Sequence, residues 1–493
     1  MFSRFQKTAL YLLVMPILWL CTLPAFAETL KIEFVASEPC ALVMFLNILA
    51  ERHHTSSWVK EWYEKKVATS SKTKTETIKK GSTISAGPPV EFDIDSDKHF
   101  IESYKRLIDR EEKHFKYIDE IGRSRSVDEV ILCEAARSKT LPELLSRMKG
   151  KLSLDEIASL QCALYHFERP FQELVWKPRS LILQRQLEEF RTQTVKTKMC
   201  ERLTQVRDFL NSSYPSQTPF IVALSPLPAN KRSSGQSMGI VQVVELRPND
   251  GFHSMADVVF HEAVHALWFS KKDVEETIKL FAIPGKGALP VAELYEGIAT
   301  ALGQGWFSKQ AFGRTPKNWY SDSIINLYSQ VVMPLYADYL KQGRKLDSAF
   351  GKEATAVYYR MYPEANKLIR LTSSYVILAD EMKDFSAFRN DLYKAMPRLR
   401  ECSINTPPNA RESIESLETT HAERVAILTS SAKLEQLKVL GFTDLDLEKP
   451  KKISNGFTTI DFRGKKVLFC LAETSEQQKQ IFADVLKLQK WPM

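Results

Sequence analysis

An α+β fold, mainly helical, with a small antiparallel sheet and helical flanking regions, is what this 493-residue sequence predicts. Three observations carry that expectation. Stretches with apolar residues at helical spacing fill both halves of the chain, while short β-branched runs bounded by Pro, Gly and Asn occur at only a few places. Between them, residues 254–269 read as a capped helix that is apolar nearly all round. No internal repeat is present, so the chain reads as successive domains.

In chain order, residues 1–27 come first: Arg4 and Lys7, an apolar run from Ala9 to Leu20, then Ala25-Phe26-Ala27 before Glu28. That is the pattern of a secretory leader with a small-residue cleavage site, and its apolar core is short for a membrane span. Export and a periplasmic or secreted destination follow as expectations, with Glu28 as the mature N-terminus. Residues 28–200 form an expected N-terminal region, mostly helical, with a strand at 30–35 and helices at 41–52, 99–121, 153–167 and the long 179–210. The lysine-rich stretch 60–80 reads as a solvated helix or loop, and Gly87-Pro88-Pro89 as a loop. Residues 201–400 form the expected catalytic domain, with strands at 220–225 and 239–246 paired antiparallel through the polar loop 226–238. Its later part, 320–400, reads as helical, including 323–340 and 385–396. Pro407-Pro408 introduces a small α/β region over 401–493, with strands near 424–428, 458–462 and 466–471 and a helix at 475–488.

Net charge is +8, and loss of the leader removes two basic residues and no acidic ones, leaving +6. So mild an excess over this length argues against a nucleic-acid surface. No later stretch approaches 18 uncharged apolar residues, so no stable membrane insertion is expected. Oligomeric state is not legible. Six cysteines follow the leader (Cys40, Cys133, Cys162, Cys200, Cys402, Cys470), and no spacing selects a pairing or a CxxC metal site.

The chemistry is concentrated in His261-Glu262-Ala263-Val264-His265. On a helix, positions 261 and 265 stand one above the other, so both imidazoles can reach one metal ion with Glu262 beside them. Three ionisable groups on one face of an apolar helix are costly unless paired or metal-bound. Ser254 and Asp257 are expected to form the capping box, with Asp257 simply its partner. A His-Gly-His extension is excluded, because Trp268 and Lys271 stand where glycine and histidine would be needed. The chain continues instead to a second apolar segment, 291–303, with Pro290 placed to begin a helix and Gly303 and Gly305 to end it. Glu293 and Glu296 share one face there, while Gly297, Ala299 and Gly303 offer a small surface for another helix.

Tyr295-Glu296-Gly297-Ile298-Ala299 resembles the Asn-Glu-Gly-Phe-Ala segment of the aminopeptidase N family, within the gluzincin metallopeptidases. The likeness covers about residues 254–303. It implies a zincin-like domain, Zn²⁺ held by His261, His265 and Glu296, and Glu262 as general base and proton shuttle. Two departures stand out. The separation from His265 to Glu296 is longer than in the aminopeptidases, and Tyr295 replaces the asparagine; no Gly-x-Met-Glu-Asn motif is present, so exopeptidase specificity is not implied. Glu293 keeps three readings: a surface carboxylate near a helix start, an acceptor for a ligand histidine, or the third ligand itself.

Strand 239–246, just before the helix, is either a substrate-binding edge or an ordinary paired strand. Tyr358, Tyr359, Tyr362 and Tyr375 are the candidates for a donor to a developing oxyanion. His53, His54, His99, His114 and His166 show no ligand spacing, His253 reads as a turn residue, and His421 lies in a different-looking segment. The expectation is an exported zinc metallopeptidase acting on peptide or protein substrate; the rival is a secreted helical binding or scaffold protein with a non-catalytic zincin core.

Overall fold

A computed structural model describes residues 28–50, 94–109, 115, 117–284, 287–380, 385–420, 422, 424–463 and 465–492. The leader, the lysine-rich stretch, the 87–89 loop, His53, His54, His114 and His421 lie outside the described residues. The described residues are mixed α/β and 57% helical with small sheets, so the mainly helical α+β class holds. It divides into two compact units, one of residues up to Asp208 with Ser212–Ser270, the other of Phe209–Asn211 with Lys271–Met493. The expected divisions at 200 and 400 do not coincide with this one, which falls just after the His-Glu-x-x-His helix.

In the first unit, β1 (Ile32–Val35), β2 (Phe220–Pro226), β3 (Ser234–Met238) and β4 (Val241–Leu246) form one sheet in the order β1-β2-β4-β3. Strands β2 and β4 are parallel, not antiparallel as expected. The supposed loop between them contains β3, which turns back antiparallel onto β4 through Gly239 at φ +73°. β2 and β4 are buried along their whole lengths, as parallel strands covered on both faces must be. Helix α1 (Glu38–Leu49) is capped by Ser37 and buried almost throughout. Further along lie α2 (Leu154–Phe171), α3 (Lys177–Lys196) and α4 (Met199–Leu210). The long helix expected over 179–210 is thus two, broken where Lys198 takes a left-handed conformation (φ 51°). The expected helix at 99–121 is instead Ile94–Ile108. Helix α5 (Phe252–Phe269) closes the unit.

The second unit begins with the helix Val274–Leu280 and the two-stranded ribbon of β5 (Ala282–Ile283) and β6 (Gly287–Ala288). A helical run α6 follows over residues 291–312, with π-helical turns at Glu293–Gly297 and Ala301–Phe307. It passes through Gly303 and Gly305, which were expected to end it, and stops at Gly313 with φ +70°. α7 (Ser323–Lys341) packs beside it, and α8 (Ser348–Met361) packs against α7. Gly305 serves that packing rather than a stop, since a Cβ there would lie 2.7 Å from the Trp319 ring and 2.9 Å from Met333 Cγ.

The last part is a five-stranded sheet in the order β10-β11-β9-β7-β8: β7 (Ser374–Ala379), β8 (Glu401–Asn405), β9 (Arg424–Thr429), β10 (Gly456–Phe462) and β11 (Lys465–Leu471). All neighbours are parallel except β10 with β11. β7 lies inside the stretch expected to be helical, so the α/β part starts near 374 rather than 401. Separate apolar cores fill its two faces, one under α9 (Phe385–Ala395) and α10 (Ser475–Lys487), the other under the helix Arg411–Thr419 and the 3-10 segment Ser431–Leu440. Among the described residues no helix is long and apolar enough to cross a membrane, and all six described cysteines are free thiols.

Candidate functional site

Helix α5 begins one turn earlier than the sequence implied. Gly251 is its N-cap, and Ser254 sits at the third position, its hydroxyl accepting from the Gly251 amide (3.2 Å). The Phe252 amide donates to Glu189 Oε1 at 2.9 Å. Asp257 is therefore no cap partner but a mid-helix carboxylate one turn before His261. Burial pushes its pKa up to about 6, offset in part by hydrogen bonds from its own and the Val258 amides and by the nearby His261.

His261, Glu262 and His265 share one face of α5, as their spacing requires. His261 is 6% exposed; Glu262 and His265 are half-buried. The two Nε2 atoms are 3.0 Å apart, with ring centroids at 4.7 Å and planes at 75°. Two imidazoles on one tetrahedral zinc have nitrogens about 3.3 Å apart, from bonds of about 2.0–2.1 Å, so the pair has the span of a chelate. His265 is steadied by Phe269, stacked at 19° between planes, and Arg123 covers that ring at 4.2 Å from its centroid.

Two residues that sequence reading passed over hold this face. Gln242 on β4 is fully buried, and its carboxamide, oriented to donate, gives a hydrogen bond to Val259 O (3.2 Å) and accepts one from Ala263 N (3.0 Å). It thereby grips the turn of α5 that carries His261 and Glu262. A lone amide within Val-Gln-Val-Val was the available signal. Gly235 on β3 is the other: a Cβ there would meet Val258 Cγ1 at 2.6 Å and Glu262 Cγ at 3.2 Å. Only glycine lets the strand run this close to Glu262. The edge of the sheet beside the helix is therefore β3, whereas β4, the strand expected to bind substrate if an edge, is paired on both sides.

In the second unit, Glu296 lies half-buried on the π-helical turn Glu293–Gly297. The small surface beside it is used as expected by a neighbouring helix, α7. A Cβ on Gly297 would come within 3.0 Å of the Tyr328 ring, and Ser329 Oγ donates to Gly297 O at 3.2 Å. Glu293 is not the surface carboxylate that one reading allowed. It is 0% exposed and ion-paired with Arg398, whose Nε also reaches Asp322 Oδ2 at 2.9 Å. Arg398 is 105 residues away in sequence, so nothing local announced it.

Of the tyrosines, Tyr375 is enclosed in the core of the C-terminal sheet, stacked on Trp491 at 5.4 Å, and cannot serve as an oxyanion donor. Tyr359 donates its hydroxyl to Ala288 O at 3.0 Å. Tyr358 is buried and Tyr362 half-buried.

No known family matches this chain, nor does any curated protein or solved structure.

Proposed function

We propose that this chain is an exported zinc-dependent metallopeptidase of the gluzincin type, with Zn²⁺ held by His261, His265 and Glu296 and with Glu262 as general base. The observation that carries the reading is the pair of imidazole nitrogens converging at 3.0 Å on a buried helix, with a carboxylate beside them. The choice of Glu296 is supported by its Glu-Gly-x-Ala setting. Two imidazoles and one carboxylate are a donor set that zinc favours, and an all-oxygen site for calcium or magnesium is a different chemistry.

When bound, zinc polarises a scissile carbonyl and acidifies a water molecule. Glu262, half-buried and next to His261, takes the proton from the attacking water and returns it to the leaving amine. Gln242 and the Phe269–Arg123 stack keep the imidazoles and Glu262 aligned without entering the chemistry. Among the described residues the outer edge of β3 has no strand partner, so an extended substrate joins the sheet there, passing over Gly235 beside Glu262.

The competing reading is a scaffold that keeps the helix but does not turn over. It draws support from Tyr375 and Tyr359, two of the four oxyanion candidates, being committed elsewhere. Paired measurements on wild type and Glu262→Gln separate the two. Stoichiometric zinc in both proteins, with peptide-library hydrolysis in the wild type and a fall of about 10²-fold or more in the variant, is the expected result. Metal-loaded wild type that cleaves nothing supports the scaffold, and a variant cleaving at the wild-type rate removes Glu262 from the mechanism.

A further inference from the structure

The second unit contains a cavity of about 1040 Å³ that the proposed mechanism does not use. It is bounded by the β5–β6 ribbon, the start of α6, Tyr358 and Tyr359 of α8, and the β9, β10 and β11 side of the C-terminal sheet. That volume is at or above the upper end for a drug-sized ligand, enough for several residues of peptide. Its walls combine two characters. Leu289, Val291, Leu294 and Leu371 give an apolar lining, while Lys279, Lys352, Arg424, Arg463, Lys465 and Lys466 face Asp461, the one acidic residue among the described lining.

Lys279 is paired with Glu276 at 2.6 Å and Lys466 with Asp461 at 2.8 Å. Lys465, by contrast, is half-buried with its ammonium donating to the carbonyl oxygen of Thr420, a neutral partner, and burial holds its pKa below the usual lysine value. Among the described residues neither Lys465 nor Lys352 meets a carboxylate. Lys465, partly desolvated and without a counter-charge among the described residues, is unfavourably placed, and an anionic ligand would relieve it; Lys352 is exposed.

We infer that this cavity binds acidic peptide segments. Arg424, Arg463, Lys465 and Lys466 lie together at adjoining ends of β9, β10 and β11, while Lys279 and Lys352 belong to two helices of the wall, with apolar side chains in the same lining; cations on separate elements suit carboxylates interspersed with apolar side chains along an extended chain better than a single phosphate. β10, which contributes Asp461, is the outer strand of its sheet, and an outer strand can pair with an extended backbone. Tyr295, the residue before Glu296, also lines the cavity. On the metallopeptidase reading the cavity then selects acidic polypeptides as substrates. That last step rests on that reading; the binding does not.

The test uses full-length Glu262→Gln protein and a fluorescein-labelled eight-residue peptide alternating Glu and Leu, with Gln-for-Glu and Lys-for-Glu analogues. Fluorescence anisotropy should show the acidic peptide binding at least tenfold tighter than either analogue and weakening with added salt. Lys465→Met, which keeps volume and removes charge, and Lys352→Glu should each lose about tenfold, while Lys487→Glu on α10, outside the cavity lining, should lose nothing. Circular dichroism checks that each variant is folded. Equal binding of all three peptides, or full affinity in both cavity variants, overturns the inference. Displacement by inorganic phosphate at low millimolar concentration also overturns it, reassigning the cavity to small anions. Acidic-peptide binding without any wild-type hydrolysis leaves the cavity standing and removes the peptidase; hydrolysis with no acidic preference, with acidic-peptide binding intact, removes only the selection of substrates by the cavity.

Discussion

Replacing Glu293 by glutamine separates a structural ion pair from a metal ligand. Glu293 is fully enclosed and Arg398 nearly so, and removing one partner of a buried pair typically costs about 3–5 kcal/mol because the other charge is left in a low-dielectric interior. Two features place this case at the low end: the amide still offers an oxygen to Arg398, and Arg398 keeps Asp322 at 2.9 Å. A loss of about 3 kcal/mol in a unit of roughly 200 residues lowers its melting temperature by about 6–12 °C. Calorimetry and urea unfolding followed by circular dichroism read this, alongside zinc content by elemental analysis. The expected outcome is a destabilised second unit with zinc retained, whereas Glu296→Gln loses zinc with little change in apo-protein stability. Glu293→Gln and Arg398→Met combined should cost less than the sum of the two single losses, since each single change leaves the other charge without its partner. A variant that melts within 1 °C of wild type, or that sheds its metal while remaining as stable, would refute the assignment of Glu293 to Arg398.

Three further outcomes follow from neighbouring geometry. Gly235→Ala drives a methyl into Val258 and the Glu262 stem, so it should cost about 1–3 kcal/mol and reduce peptide hydrolysis more than tenfold; unaltered turnover would show that β3 does not constrain Glu262. Gln242→Leu removes both hydrogen bonds to α5 and should lower the unfolding free energy of the first unit by about 1–3 kcal/mol, with an unchanged urea midpoint speaking against the bridge. Asp322 responds to acid: burial alone would raise its pKa, but Arg398 and the Ile324 and Ile325 amides outweigh that and hold it below the usual aspartate value. Its contribution is therefore present above the unfolded-state pKa of about 3.9 and lost as pH falls through the lower folded value, so wild type should lose more stability than Asp322→Asn between about pH 5 and 2.

What the sequence disclosed is what is local. The His-Glu-x-x-His face follows from helix periodicity alone, and the apolar wrapping of α5 marks it as buried before any fold is known. Strands 424–428, 458–462 and 466–471 were readable because β-branched runs between turn residues carry their own signal. β3 was not, for Ser234-Gly-Gln-Ser-Met238 has no β-branched residue; it is extended because β4 offers it a ladder and α5 lies beneath. Nor could the direction of β2 against β4 be read, since a parallel pair depends on the route of the connection rather than on either strand. Ser374–Ala379 shows the same limit from the other side. Buried on both faces of a parallel sheet, it is a continuous apolar run, and such a run has no period by which to tell strand from helix.

Glycines and buried charges explain the remaining differences, and they bear on the site itself. A glycine near a helix end reads as a stop, yet Gly305 is there because Trp319 needs the space a Cβ would take, whereas Gly297, read as a small surface, meets Tyr328 as such. A glutamate near a helix start reads as a dipole partner at the surface, yet Glu293 is buried because Arg398 meets it from far along the chain. In each case the deciding atom belongs to another segment. The same holds for Gly235 and Gln242, which carry no chemistry and are visible only once β3 and β4 are laid against α5. A substitution screen guided by the motif would test His261, Glu262, His265 and Glu296 and pass over both. If alignment of Glu262 depends on these two contacts, loss of turnover with zinc retained should arise at Gly235 and Gln242 as well as at Glu262, and only the first two should also change the stability of the unit.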